Sequence, residues 1–191
     1  MKRITKITLL ALGLAGLASV AVFVLPDVVK AANNNILILE GACDCRTGNS
    51  GFFAGSRGDP FIVSGKLFPA GTLPSGTATN DPTLPVHGVA PIGNWTCRGQ
   101  NSLPFPPLIA PAYSSTPFAF NTQYFILNDG RALTIEGYAL ADGSGERLSV
   151  TGGIGSFSGA SGDVEEGPFG TNATGCPNFR AKFILQPGSV R

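Results

Sequence analysis

The side chains of this sequence that could do chemistry are few, and they are scattered among apolar runs. Four of them, Glu136, Tyr138, Tyr124 and Arg98, are groups that can orient or protonate a small organic molecule in an otherwise apolar site. Glu136 and Tyr138 share one face of the run over residues 131–140. The other face of that run is apolar and should turn inward, which places Glu136 in solvent.

No catalytic motif joins these candidates. Gly-x-Ser-x-Gly is absent, and the single histidine, His87, has no Ser or Cys nucleophile motif beside it, so a catalytic triad is unsupported. Glu165 and Glu166, close to Asp163, suggest a carboxylate pair. Adjacent residues of a strand face opposite ways, however, and would not converge. We therefore interpret them as a solvated acidic turn, and the catalytic residues stay unassigned.

The four cysteines are Cys43, Cys45, Cys97 and Cys176. An even number in an exported chain predicts disulfides. Cys43 and Cys45 are poor partners for each other, because two residues of an extended segment this close cannot readily reach bonding geometry. Each is therefore expected to bond to Cys97 or Cys176, and both such pairings stay open. A zinc site is disfavoured, since there is no second close cysteine pair. We predict no metal and no cofactor.

The first 31 residues have the layout of a secretory signal peptide. Three positive charges within six residues precede an uncharged run over residues 8–25, and small residues at Val29 and Ala31 suit a signal peptidase. Cleavage after Ala31 would leave a single domain of residues 32–191, secreted or periplasmic. The alternative is an uncleaved membrane anchor, because the apolar run is at the lower limit for a spanning helix. Pro26 and the small-residue site favour cleavage.

The charge pattern argues against a nucleic-acid partner. Residues 1–31 hold four of the 13 Lys and Arg and one of the 12 Asp and Glu, so the remainder carries nine basic and eleven acidic residues. Its positive residues are scattered singly, whereas nucleic-acid binding needs clustered Lys and Arg.

Short apolar runs separated by turn residues predict an all-β domain. Gly and Pro make up 41 of 191 residues, yet 43% of the chain is hydrophobic and only 13% is charged, which is not a disordered composition. No sustained 3.6-residue period follows residue 31, so almost no helix is expected. The predicted strands are Ile36–Glu40, Phe61–Phe68, Asn94–Gln100, Phe118–Leu127, Arg131–Leu140, Glu146–Ile154 and Phe179–Leu185. Asn128-Asp129-Gly130 is a hairpin signal.

Two proline-rich stretches, residues 69–91 and 102–117, do not fit a strand, because proline cannot donate to a ladder. We expect them to be long loops or extended coverings over a barrel end. In the predicted strand Asn94–Gln100, Trp95 and Arg98 lie on opposite faces. Trp95 is close to Cys97 and suits a packed core position better than a ligand contact.

The segment from Val150 to Val164, VTGGIGSFSGASGDV, resembles the signature of the dirigent and allene oxide cyclase barrel superfamily. That signature is a strand ending in Gly-Gly-x-Gly, then an aromatic residue, a small-residue step and Ala-x-Gly, then another strand. The resemblance is good over residues 118–185. A nucleotide-binding loop is the alternative for this run, but no helical period follows it. We interpret its glycines as structural, allowing tight bending where a barrel turns a corner.

The resemblance implies an eight-stranded antiparallel β-barrel with an apolar lumen that holds one small hydrophobic molecule. It also implies a homodimer or homotrimer, and, in an enzyme, cofactor-free cyclase or isomerase activity. Phe118, Phe120 and Tyr124 are the expected ligand-binding residues, on the assumption that they point inward. A cyclase or isomerase would need Glu136, Tyr138, Tyr124 or Arg98 in the lumen.

We predict a non-catalytic binding protein ahead of an enzyme, because no acid, base or nucleophile converges in the sequence. A third interpretation is a structural or surface protein, whose lumen would be filled by Phe and Leu side chains.

Overall fold

The computed structural model describes residues 35–47, 56–102, 117–140 and 146–187, and within them the chain is almost entirely β-structure. The predicted leader, residues 1–31, and most of the second proline-rich stretch lie outside these ranges. Among the described residues, no helix is long and apolar enough to cross a membrane. In these ranges one 3-10 turn, Gly155–Phe157, accompanies nine strands: β1 (Ile36–Cys43), β2 (Pro60–Pro69), β3 (Gly76–Thr77), β4 (Gly93–Asn101), β5 (Pro117–Leu127), β6 (Ala132–Leu140), β7 (Glu146–Ile154), β8 (Gly162–Thr171) and β9 (Pro177–Leu185).

Eight of these strands close into an antiparallel barrel in the order β1-β2-β4-β5-β6-β7-β8-β9, and β9 pairs with both β8 and β1. The two-residue strand β3 lies outside the ring and pairs in parallel with β8. The predicted eight-stranded antiparallel barrel is confirmed. The acidic turn predicted at Glu165 and Glu166 is wrong, since both residues belong to β8 and pair with β9.

The core follows the two-residue period of the strands. Phe61, Val63 and Leu67 of β2 point inward, and so do alternate residues of β9 from Phe179 to Leu185. Gly41 of β1 pairs with Phe179, and a Cβ on Gly41 would lie 2.0 Å from that ring. The missing side chain therefore gives the Phe179 ring its space inside the barrel.

The glycine-rich run after β7 turns a corner and leads directly into β8. Gly155 and Gly159 have φ angles of 67° and 78°, in the left-handed region where glycine is favoured. The run contains only the single 3-10 turn, so the helix that a nucleotide-binding loop requires is missing from this described segment. The structural interpretation of these glycines is therefore the one that fits.

The first proline-rich stretch covers the outer wall of the barrel, not its end as predicted. Leu73 and Val86 pack against Ala42, Phe68 and Phe169, which point outward from β1, β2 and β8. The buried carboxylate of Glu40 holds this covering segment in place. It accepts hydrogen bonds from the backbone N–H groups of Gly71 and Leu73, at 2.9 and 2.8 Å. Arg180 donates to the same carboxylate at 2.6 Å.

One disulfide, Cys45–Cys176, ties the segment after β1 to the turn between β8 and β9, with the two Cα atoms 5.5 Å apart. The second predicted bridge is not formed, and Cys43 and Cys97 are buried free thiols. Cys43 pairs with Gly65, and Cys97 pairs with Val63, on opposite sides of β2. Two strand spacings, roughly 10 Å, separate their backbones, which is beyond disulfide reach.

Candidate functional site

In the described part of the chain the barrel interior is largely apolar, and its polar side chains include a connected group of four, which we call the carboxyl cluster: Asn121 and Gln123 of β5, Glu146 of β7 and Glu166 of β8. Gln123 is fully buried, and Asn121 is 6% exposed. Each of the four shares its strand face with core residues. Asn121 and Gln123 lie on the same inward face of β5 as Phe125.

Hydrogen bonds join the four side chains into one network. Gln123 donates through Nε2 to Oε2 of Glu146 at 3.0 Å and to Oε1 of Glu166 at 3.2 Å. Asn121 donates through Nδ2 to the same oxygen of Glu146 at 2.9 Å. The indole N–H of Trp95 donates to Oε1 of Gln123 at 2.6 Å. Because that oxygen must accept from Trp95, the amide nitrogen of Gln123 is directed to the two carboxyl groups.

The strand register explains why residues distant in sequence meet here. Leu148 of β7 pairs with Val164 of the antiparallel β8. Glu146 and Glu166 are therefore the next inward-facing positions on the same side of this pair, one on each strand. Gly137 of β6 lies between Asn121 and Leu148. A Cβ on Gly137 would lie 1.9 Å from the carbonyl oxygen of Arg147. The absence of a side chain there lets Asn121 reach across β6 to Glu146.

Burial raises the pKa of both glutamates. For Glu146, desolvation raises the pKa, and hydrogen bonds from Asn121 and Gln123 oppose the shift. For Glu166, desolvation and then the neighbouring charge of Glu146 raise the pKa well above 4.5, against one hydrogen bond from Gln123. Two carboxyl groups this close disfavour ionising together, so one can hold a proton while the other is charged. Such a pair can supply an acid and a base at one place.

Two oxygen atoms of the carboxyl cluster have no hydrogen-bond donor. Oε2 of Glu166 and Oδ1 of Asn121 are buried and accept no hydrogen bond within the structure. Leaving a buried acceptor unpaired costs about 1–3 kcal/mol. None of the ion pairs among the described residues involves Glu146 or Glu166. Among the described residues the cluster therefore has spare acceptors and no ion-pair partner for either glutamate.

The two buried thiols adjoin the carboxyl cluster. Cys97 pairs directly with Gln123 across β4 and β5. Burial raises the pKa of both the Cys43 and Cys97 thiols, and the nearby Glu146 and Glu166 raise it further. Both groups are therefore protonated at neutral pH and are poor nucleophiles. Within the described ranges, no three His, Cys, Asp or Glu side chains are grouped as a metal site.

The structure places most of the predicted site residues on the outer wall. Glu136 and Arg98 are exposed, as the alternation predicted for Glu136, and Tyr138 shares their outer face. Tyr124 also points outward, where the Arg98 guanidinium lies 5.2 Å from the centre of its ring. Phe120 is 53% exposed, so the predicted inward orientation of Phe120 and Tyr124 is wrong.

Phe118 is buried, whereas Phe120, two residues later, is not. The register between β5 and β6 shifts between Pro117 and Ala119, so the even-numbered face that is inward at Phe118 becomes the outer face beyond it. Glu136, Arg98 and Phe120 instead line a shallow groove of about 680 Å³ on the outside of the barrel. His87 is exposed, in the loop that covers the outer wall.

Sequence reasoning missed the carboxyl cluster, although a signal for it was present. Glu146 has the same parity as Leu148 and Val150, and Gln123 has the same parity as Phe125 and Leu127. A polar residue in phase with the apolar face of a strand is predicted to be buried and to need partners.

Comparisons with known proteins support the fold and give no family. No protein-family model matches the chain, and a search of curated proteins finds no match. Among solved structures, the chain is similar to one described as pyocyanin demethylase, with a TM-score of 0.51 and 13% sequence identity. The similarity covers 79% of this chain and 99% of that one. At this identity it shows a shared fold alone, and membership of the dirigent and allene oxide cyclase superfamily stays a prediction.

Proposed function

We propose that this chain is an exported β-barrel protein that binds one small, largely apolar molecule in its lumen, with the polar group of that molecule at the carboxyl cluster. The observation that carries the proposal is the pair of unpaired acceptors, Oε2 of Glu166 and Oδ1 of Asn121. Buried polar groups in native proteins are nearly always hydrogen-bonded, and exceptions commonly mark functional sites. A ligand that donates hydrogen bonds would satisfy both oxygens.

The packing of the lumen restricts where the ligand would lie. On one side of the cluster the barrel is filled by rings: Trp95 and Phe179 lie 4.7 Å apart, and Phe125 and Phe183 lie 5.0 Å apart, centre to centre. Glu146 is the first residue of β7, so the other side of the cluster faces the barrel end where β7 begins. The ligand would bind at that end, where buried Phe118 contributes to the wall.

Two further observations support a small-molecule site in an exported protein. An eight-stranded barrel is just wide enough to hold one small ligand, and the structurally similar protein is named as an enzyme that acts on a small molecule, pyocyanin. A disulfide such as Cys45–Cys176 is typical of an oxidising compartment outside the cytoplasm. This agrees with the leader expected over residues 1–31.

A second candidate function is that of a cofactor-free isomerase or cyclase. The specific observation in its favour is the pairing of two glutamates with raised pKa values inside the barrel. The protonated carboxyl would give a proton to one atom of the substrate, and the ionised one would accept a proton from another atom. The catalytic role would then belong to Glu146 and Glu166, in place of the outward-facing Glu136, Tyr138 and Arg98.

Native mass spectrometry of the mature protein from its own host tests the binding proposal. We expect one bound organic molecule per barrel, which is released on denaturation and identified by its own mass. The Glu166→Gln variant should bind much less of this molecule, because the substitution removes one of the acceptors that the ligand would use. Glu165→Gln is the matched control, since Glu165 is the next residue but points to solvent and pairs with Lys182 at 2.9 Å. Ligand-free wild-type protein, or equal occupancy in both variants, would refute the proposal.

A further inference from the structure

We infer that the polar group bound at the carboxyl cluster is a monovalent organic cation, such as an ammonium group or a protonated nitrogen heterocycle. This inference rests on the proposed function and names the chemical class of its ligand. The reasons are the charge of the cluster, the direction of its hydrogen bonds and the poorer fit of other ligand classes.

The first reason is the charge of the cluster. Glu146 and Glu166 both belong to the interior network around Gln123, and among the described ion pairs none supplies either of them with Lys or Arg. The arginine of β9, Arg180, points to the outer wall and pairs with Glu40. Lys182 pairs with exposed Glu165. A buried carboxylate without a counter-charge is unfavourable, and a cationic ligand would supply that charge.

The second reason is the direction of the hydrogen bonds. The amide nitrogen of Gln123 donates to both glutamates, and the amide nitrogen of Asn121 donates to Glu146. The indole N–H of Trp95 donates to Gln123. Oδ1 of Asn121 is an unpaired acceptor, and the unpaired Oε2 of Glu166 is one when that carboxyl group is ionised, the form that a bound cation favours. An ammonium group has N–H donors and no acceptor, so it matches the cluster in kind.

The charge and the hydrogen-bonding groups of the cluster fit other ligand classes less well. A carboxylate or phosphate needs several donors, but both N–H groups of Gln123 and the N–H of Trp95 are already used within the network, which leaves one N–H of Asn121. A hydroxyl group could donate to one acceptor, but it would leave the negative charge uncompensated. A divalent metal ion would need further oxygen or nitrogen ligands, and no third acidic or histidine side chain is grouped with Glu146 and Glu166 in the described part of the chain.

Trp95 provides the readout for a direct test, because it is the single tryptophan of the chain and its N–H contacts Gln123. The mature, disulfide-bonded protein is freed of bound material by mild denaturation and refolding. Its tryptophan fluorescence is then titrated with phenethylammonium, phenethyl alcohol, phenylacetate and calcium ions. We expect a saturable change with phenethylammonium and binding weaker by at least about tenfold with phenethyl alcohol. Phenylacetate and calcium should give no saturable change.

Variants assign the effect to the cluster. Glu166→Gln should weaken phenethylammonium binding by at least about tenfold and phenethyl alcohol binding by a smaller factor, whereas Glu165→Gln should behave as wild type. Equal affinity for the ammonium and the alcohol would overturn the cation inference and leave lumen binding intact. Binding of phenylacetate or calcium in place of the ammonium would overturn it as well. A bound molecule in native mass spectrometry that carries no basic nitrogen would do the same, whereas no bound molecule and no probe response would refute both proposals.

Discussion

Glu165 and Glu166 are neighbours in β8, but the fold gives them opposite environments. Glu165 is exposed and pairs with Lys182, while Glu166 enters the carboxyl cluster, where burial raises its pKa well above 4.5. The two positions therefore form an internal comparison in which residue type and sequence position are nearly constant. Differences between their Gln variants report the combined effect of burial and of the different partners.

The first prediction at this scale concerns pH. A carboxyl whose pKa is higher in the folded than in the unfolded state binds more protons when folded, so stability falls as pH rises from the ordinary value towards the raised one. Glu146 and Glu166, whose ordinary value is 4.5, should therefore make the free energy of unfolding decrease from about pH 5 towards neutral pH. Glu166→Gln should flatten this decrease and be more stable than wild type at neutral pH.

Urea unfolding midpoints measured between about pH 5 and pH 8 would check this. Glu165→Gln should keep the wild-type slope. At lower pH the opposite effect begins, because hydrogen bonds from Arg46 and Arg131 lower the pKa of Asp44 and Asp129 respectively. Protonation of these two aspartates should destabilise the fold at acidic pH. A Glu166→Gln variant that is less stable than wild type at neutral pH would contradict the raised pKa.

How far the site could be predicted from sequence depends on what a single strand can reveal. Alternation placed Glu136 outside, and neighbouring Glu165 and Glu166 do face opposite ways, but the solvated turn predicted for both is wrong because Glu166 lies in the interior network. It could not show that Glu166 meets Glu146, because that contact depends on the register of β7 against β8. The predicted inward orientation of Phe120 and Tyr124 was wrong for a different reason, because the register shift after Pro117 changes which face of β5 points inward.

At the scale of elements, local chemistry predicted seven strands and the hairpin turn around Gly130, where the N–H of Gly130 donates to the carbonyl of Leu127. β8 was harder, because its Gly167, Pro168 and Gly170 are poor strand residues. It is a strand because β9 pairs with it from Gly162 to Thr171, and β7 pairs with its first residues, inside a closed barrel. Closure thus overrides local preference in this segment.

The covering segment after β2 carries a prediction of its own. Glu40→Gln should destabilise the protein by about 2–4 kcal/mol, because the carboxylate accepts from Gly71, Leu73 and Arg180 at once. A glutamine has a single acceptor oxygen and turns an amide nitrogen towards one of these donors. Hydrogen exchange at the Gly71 and Leu73 amides should speed up more than exchange in the barrel core.

The matched control for Glu40→Gln is again Glu165→Gln, which removes an ion pair on the protein surface. Exposed pairs of this kind are worth less than about 1 kcal/mol, so its unfolding midpoint should change little. Equal destabilisation by the two variants would mean that Glu40 does not anchor the covering segment.

At the scale of the whole molecule, β9 closes the barrel, because it pairs with both β1 and β8. The Cys45–Cys176 bond lies where this closure is made and spans 131 residues of sequence. Sequence reasoning restricted the disulfide pairing to two alternatives, because Cys43 and Cys45 differ by two positions. Only the three-dimensional arrangement distinguishes them: Cys43 points into the lumen, while Cys45 has left β1 and reaches the turn before β9.

Replacing Cys45 and Cys176 by serine together should lower stability by about 3 kcal/mol, since the bond restricts a long loop in the unfolded chain. For a protein of this size the melting temperature should fall by about 6–12 °C. Alkylation of the unreduced protein should add no label while it is folded and two labels after denaturation, at Cys43 and Cys97, because both thiols are buried. No label after denaturation would mean that a second bridge forms. Such a bridge would require the β1–β2–β4 wall to rearrange, because these thiols lie on either side of β2.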